Sequence, residues 1–313
     1  MAIIRRMTDD GRRTADGGRK YRPPFVVCRL PVTFAFLLLL FAFFLSACAS
    51  TRPAVKIGLL APFEGVYRQE GYDALAAMRA AIAEQNPHGI DVLPLALDTS
   101  RDVARTAQKV LADPSVAVVI GPYWAAEEGE VGLIAAGKGW LRPFAPVENG
   151  NWAGSVVTTA EAFAKNGGRE LILAGLPVGW PTTKTAVATD PGAVDAGQAI
   201  LWLGDAAAGA DFALAVWKRL PDTPIGLYSA GAETFRKRVG AQMTGPVFLV
   251  GWIDADYPAW AENHSPNTPA AYTVYRLTAD ALRDLSGETI TTVWQPALFI
   301  LQTNGALVLS PRR

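Results

Sequence analysis

Apolar positions in this chain come in short continuous runs separated by amphipathic stretches, and the alternation repeats. Val55–Leu60 is apolar on both faces, as a buried parallel strand is. It runs into a polar loop around Phe63-Glu64-Gly65 and then a helix from Tyr72, with Leu75, Met78 and Ile82 on one face. Ile90–Leu97 predicts a second strand. Asp98-Thr99-Ser100 reads as the cap of a helix over Asp102–Leu111, with Val103, Ala107 and Val110 inward. Val116–Ile120 predicts a third strand, Gly121–Trp124 a turn, and Glu127, Glu128 and Glu130 the acidic start of a further helix. A fourth strand is predicted near Pro143–Val147.

Glu148–Trp152 then reads as a crossing loop into a second run of the same kind. Helix Thr159–Asn166, strand Glu170–Leu176, loop Pro177–Pro181 and an unassigned stretch Thr182–Gly197 come first. Strand Ala199–Leu203, helix Asp205–Arg219, strand Pro224–Tyr228, helix Ala232–Val239 and strand Val247–Gly251 follow. Ile253–Pro269 reads as a second crossing, and Ala270–Leu285 as a helix burying Tyr272, Tyr275, Leu282 and Leu285. Val293–Leu309 reads as a hairpin turning at Asn304-Gly305. Repeated strand–helix alternation predicts an α/β fold in which mostly parallel sheets are flanked by helices. Two runs joined by crossings predict two lobes with a cleft between them.

Composition changes this picture at the start of the chain. Residues 1–47 carry eight Lys/Arg against three Asp, five positive charges net, although the 313-residue whole sums to zero. The remainder is therefore five negative and lacks the basic field of a nucleic-acid binder. The basic segment leads into the apolar run Val32–Leu45, shorter than the roughly 20 residues of a comfortable membrane span. It ends in Leu45-Ser46-Ala47-Cys48, which resembles the bacterial lipobox; cleavage before Cys48 would leave that thiol to carry the lipid. Segment 1–47 is thus expected to be a lipoprotein signal peptide starting at Met1 or Met7. Residues 48–54 are then a lipidated tether, and the mature protein an extracytoplasmic, membrane-anchored one. Cys28 would be discarded, so no thiol nucleophile or disulfide is expected in the body.

Enzyme motifs are missing from the sequence. His88 and His264 both read as loop residues, and no HExxH, Walker A or GxGxxG pattern occurs. Gly226–Gly231 misses the spacing of a nucleophile elbow by one residue. No catalytic residue, cofactor or metal is expected.

Lys56-Ile57-Gly58-Leu59-Leu60-Ala61-Pro62, with Gly65, Gly71 and the Ala-rich helix, resembles the opening of type I periplasmic solute-binding proteins of the Leu/Ile/Val-binding group. Arg105–Pro122, Ala145-Pro146 and the AILWLGD stretch from Ala199 extend the resemblance, which is poor over Val156–Gly197. It implies a first lobe over 55–149 and 254–292, and a second, shortened lobe over 150–253 and 293–313. It also implies a small-molecule ligand, an ABC-type permease as membrane partner, and closure like a clam shell. A non-transport regulatory, sensing or structural lipoprotein of the same shape is the alternative.

In that family the ligand lies between strand-end loops. Those loops here offer Phe63, Glu64, Tyr67, Arg68, Tyr123, Trp124, Ala125, Glu148 and Asn149 from the first lobe. From the second they offer Trp180, Asp205 and Ser229 beside Tyr228, with Trp252, Asp254 and Tyr257 at the crossing. Ala125 stands where amino-acid binders place a hydroxyl residue. Glu148, unless paired with a ligand amine or Arg68, would repel a carboxylate. Aromatic walls with a few carboxylates suit a cation, a sugar ring or an apolar amide.

Overall fold

The computed structural model describes residues 36–37, 40–41, 52–85, 89–124, 138–146, 151–177, 180–181, 185–228, 230–289 and 292–310. Met1–Thr51 and Arg52–Arg313 are separate compact units. In the first, Phe36, Leu37, Leu40 and Phe41 are helical and exposed. Among the described residues no helix is long and apolar enough to cross a membrane.

Arg52–Arg313 contains two sheets. The first is all parallel in the order β2-β1-β3-β4: β1 (Ala54–Ala61), β2 (Asp91–Asp98), β3 (Val116–Ile120) and β4 (Gly139–Leu141). Alternation along β1 serves two layers at once. Ile57 and Leu59 pack under α1 (Arg68–Gln85), against Leu75 and Met78. Leu60 faces α2 (Val103–Ala112), against Val103, Ala107 and Val110. Each such fully buried side chain contributes about 1.5–3 kcal/mol of transfer free energy.

The second sheet follows the order β11-β10-β9-β8-β7-β5-β6. Its parallel part is β5 (Glu170–Ala174), β6 (Val187–Ala188), β7 (Gln198–Trp202), β8 (Ile225–Tyr228) and β9 (Val247–Ile253). β10 (Gln295–Leu301) and β11 (Leu307–Leu309) close it as the antiparallel hairpin expected from Asn304-Gly305. One face packs Ile172, Ile200, Ile225 and Leu249 against α4 (Ala206–Trp217) and α5 (Ala232–Val239). The other packs Leu173, Leu201, Phe248 and Val250 against α3 (Trp152–Asn166). After α6 (Tyr257–Asn263) the chain returns to the first sheet as α7 (Pro269–Leu285), whose Val274, Leu277 and Leu282 join Ile57 and Leu59.

Several local expectations are corrected. The fourth strand is Gly139–Leu141, not Pro143–Val147: Val118–Ile120 pairs with 139–141, while Pro143 and Pro146 have no N–H for a ladder. Asp102 caps α2, accepting from Arg105 N at 2.8 Å. Trp152 opens α3, capped by Asn151, because the small buried face Ala153, Val156, Val157, Ala160 and Ala164 extends the helix by two turns. The second crossing contains a helix of its own, α6. His264 is not a loose loop residue: its ring stacks on Trp260 at 4.8 Å and bonds Glu84 Oε1 at 2.8 Å. Leu285 is only half-buried.

Two glycines shape the strand ends. A Cβ at Gly71 would lie 1.8 Å from Pro62 O, so only glycine lets α1 pack this close to the loop after β1. Gly121, at φ +123°, turns the chain out of β3 toward Tyr123 and Trp124.

Candidate functional site: a pocket at the carboxyl ends of β1, β2 and β3

The loop after β1 is held by the end of β2. Asp98 Oδ1 accepts from Phe63 N at 2.7 Å, Ser100 Oγ at 2.6 Å and Ser100 N at 3.0 Å. Burial opposes ionisation of Asp98, but these donors outweigh it and hold its pKa below the ordinary carboxylate value. Ser100 Oγ in turn receives Glu64 N at 3.0 Å. The loop is therefore a hydrogen-bonded platform rather than a free strand connection.

Beneath it lies a pocket of about 360 Å3, within the usual range of small-molecule sites. Its walls come from the loop after β1 (Pro62 to Tyr67), from Thr99 and Ser100 after β2, from Trp124 after β3, and from Asp205 at the start of α4. It thus joins the strand ends of the first sheet to a helix of the second. Asp205 caps α4, accepting from Ala208 N at 2.7 Å. The Tyr67 hydroxyl donates to Asp205 Oδ2 and accepts from Ala207 N at 2.9 Å. Burial first, then the Asp205 bond, pushes the Tyr67 phenol well above its ordinary pKa. The Tyr67 ring lies 4.6 Å from Trp124, and Trp124 rests against buried Tyr123 at 5.4 Å.

Two pocket-lining side chains keep buried polar atoms without a partner: Thr99 Oγ1 and Trp124 Nε1. Both atoms have almost no exposed surface, as do the unpartnered Glu70 Oε2, Trp180 Nε1 and Trp260 Nε1 elsewhere; Thr99 and Trp124 differ in belonging to the residues that wall the pocket, which makes them candidates for a ligand acceptor. Thr99 and Ser100 were legible only as helix caps. The signal that finds them is their place at the end of a parallel strand.

The other expected site residues stand at the rim of the pocket or fall elsewhere. Glu64 stands at the mouth, clamped by Arg101 Nη2 at 2.9 Å. Phe63 turns its ring edge-on to Tyr72 at 5.5 Å. Arg68 lies over Tyr72 at 5.3 Å, in a separate surface depression beside Lys237. Trp252 is in the core, 2% exposed, its Nε1 bonded to Phe144 O and Tyr228 Oη, each at 3.0 Å. Trp180 packs on Trp152 at 4.9 Å and on Tyr228 at 5.8 Å. Tyr257 is also buried, edge-on to Tyr272 at 5.2 Å. Asp254 is a buried ion-pair partner: Arg276 Nε is 3.0 Å from its Oδ2, and Tyr272 donates to its Oδ1. That pair ties α7 to the end of β9. Ala125, Glu148, Asn149, Ser229 and Cys48 lie outside the described residues. Among the described residues no group of three or more His, Cys, Asp or Glu could hold a metal ion.

This architecture matches solved binding proteins. A branched-chain amino acid transporter substrate-binding protein from Streptococcus pneumoniae, solved with isoleucine, aligns at TM-score 0.60 and 13% identity, over 82% of this chain and 99% of that one. A possible leucine/isoleucine/valine-binding protein from Rhodopirellula baltica aligns at 0.58 and 12%, over 85% and 98%. A leucine-binding protein from Thermotoga maritima aligns at 0.57 and 13%, over 82% and 98%. No protein-family model matches the chain, and no curated protein matches it either. The fold is that of the type I periplasmic solute-binding proteins.

Proposed function

We propose that this chain is an extracytoplasmic solute-binding lipoprotein that takes a small molecule into the pocket at the strand ends and delivers it to an ABC-type permease. The observation that carries the reading is the pocket between the two sheets, whose wall includes Thr99 and Trp124, each with a buried polar atom that has no partner. Such a pocket stabilises a bound ligand by hydrogen bonding and enclosure, with no covalent step and no cofactor. Opening and closing of the two halves about α7 and the end of β9 would admit and release it, the ligand favouring the closed form. The solutes of the aligned proteins, isoleucine and leucine, make amino acids and their amides the first compounds to try. Leu45–Cys48 would supply the lipid anchor that keeps the receptor beside its permease.

The test is thermal and calorimetric titration of the full chain in detergent with amino acids, amides, amines and sugars. A ligand at 100 times its Kd adds about 2.7 kcal/mol to stability. Thr99→Val, which deletes the hydroxyl while keeping shape, and Trp124→Phe, which removes the indole N–H with part of the ring, are each expected to weaken the ligand about tenfold. No shift across the panel, or unchanged affinity in both variants, would remove the reading. For the anchor, Cys48→Ser is expected to abolish incorporation of labelled fatty acid and to free the protein from membranes.

A further inference from the structure

We infer that the ligand is a small organic cation that carries a hydrogen-bond acceptor and no carboxylate. This rests on the solute-binding reading above and concerns the charge of what enters. Among the described residues lining the pocket, Glu64 and Asp205 are the charged ones, and both are acidic. Arg101 reaches the mouth, but its Nε and Nη2 are both held on Glu64 Oε2, at 3.1 and 2.9 Å. Glu64 and Arg101 therefore cancel at the rim. Asp205 is different. Its hydrogen bonds come from the Tyr67 hydroxyl and the Ala208 N–H, both neutral donors. Arg238, the cation on the neighbouring helix, is forked on Asp211 at 2.7 Å through each of two nitrogens. A carboxylate has room for about four hydrogen bonds, so Asp205 can still accept from an ammonium group.

The aromatic walls agree with this. Tyr67 and Trp124, packed on each other at 56°, are the aromatic residues of the wall that holds that carboxylate, and aromatic rings attract cations. The indole N–H of Trp124 can only donate, and the Thr99 hydroxyl can donate, so the unpartnered pair asks for an acceptor on the ligand. A carboxylate could take those donors, but it would stand beside Asp205, the one charged group among the described lining residues that no cation pairs, and that group is negative. A carbonyl, amide or ether oxygen takes them without repulsion. Pro62 and Val66 leave an apolar wall for a short aliphatic part.

Four compounds with one aliphatic skeleton separate the possibilities: leucinamide (cation), isocaproamide (neutral), leucine (zwitterion) and isocaproate (anion). Titrated calorimetrically into the full chain in detergent, leucinamide is expected to bind at least tenfold tighter than leucine, and isocaproate not at all. Asp205→Asn keeps a residue able to cap α4. It is expected to bring the affinity ratio of leucinamide to isocaproamide close to one. Trp124→Phe is expected to weaken both amides alike. Leucine binding as tightly as leucinamide, measurable isocaproate binding, or an unchanged amide ratio in Asp205→Asn would overturn the inference. If none of the four binds but an uncharged or carboxylate-bearing solute in the wider panel does, the inference fails and solute binding stands; an amine that binds and loses affinity in Asp205→Asn upholds both. If nothing in the panel binds, both fail.

Discussion

The Tyr67 hydroxyl donates to the carboxylate of Asp205, and this one bond joins the loop after the first strand of one sheet to the capping residue of a helix on the other. The two residues are 138 positions apart in sequence. Because Tyr67 also receives the Ala207 N–H, the link is made to the start of α4 as a whole. Removing the hydroxyl with Tyr67→Phe leaves the cap intact, since Asp205 keeps Ala208 N. We expect a loss of about 1 kcal/mol in chemical denaturation, the ordinary net worth of a hydrogen bond. The variant should also gain hydrogen exchange in the loop from Glu64 to Arg68; protection equal to the parent's would show that the bond does not hold the loop.

A second link lies on the same seam. Thr234 Oγ1 donates to Glu70 Oε1 at 2.7 Å and is 3.0 Å from Val66 O, while Thr234 N adds a longer bond to Glu70. Glu70 and Thr234 are both buried, and Glu70 Oε2 already lacks a partner. Thr234→Val leaves Glu70 Oε1 with only the longer backbone bond, and should therefore cost about 1 kcal/mol, the ordinary net worth of a hydrogen bond. A double-mutant cycle with Glu70→Gln should give a coupling energy well above zero; strict additivity would mean the two groups act independently.

Gly71 tests the packing of the loop after β1. The side chain of Gly71→Ala would meet Pro62 O at 1.8 Å, and neither backbone can yield without moving the platform on which the pocket rests. We expect destabilisation of about 1–3 kcal/mol, as for overpacked cores. An unaltered denaturation midpoint would mean that α1 can slide away from the loop freely.

Arg276 faces three carboxylates, Asp254 at 3.0 Å, Asp256 at 3.3 Å and Asp280 at 3.7 Å. Arg276→Met leaves Asp254 buried and unpaired, which should cost about 3–5 kcal/mol at neutral pH. Asp280 behaves in the opposite way. Burial, against the bond from Thr292 and the charges of Arg276 and Arg283, raises its folded pKa above the ordinary 3.8. The unfolded chain thus releases this proton first, and stability falls as pH rises through that interval. Asp280→Asn should be more stable than the parent at pH 7, with the gain disappearing below pH 3.8; a neutral-pH loss would show that the Thr292 and Arg276 contacts outweigh burial.

Six tyrosines carry phenols raised by burial above the ordinary value of 10.0: Tyr67, Tyr123, Tyr228 and Tyr272, with Tyr257 and Tyr275 pushed up to about 12. Above pH 10 the unfolded chain loses these protons and the folded one keeps them, so stability must fall steeply. The phenolate absorbance of these six, out of the chain's eight tyrosines, should rise cooperatively with unfolding rather than gradually. A gradual rise of the full eight-tyrosine signal with the fold intact would contradict the burial of these rings.

The sequence alone determined most of the strands, most of the helices and the loops at the strand ends, because a strand buried on both faces is a short continuous apolar run and burial repeats every 3.6 residues in a helix. The parallel strand β1 was readable for that reason, and the hairpin from its Asn304-Gly305 turn. Tertiary structure decided what faces the cavity. Thr99 read as a cap and lines the pocket, Trp252 read as a ligand contact and is core, and Asp254 is neutralised by Arg276 from another helix. Even β4 was set by its pairing with β3 rather than by its own apolar run. The reason is one of range. Periodicity records which side of an element is buried, whereas the partner across a cleft, as Asp205 is for Tyr67, depends on how distant segments pack.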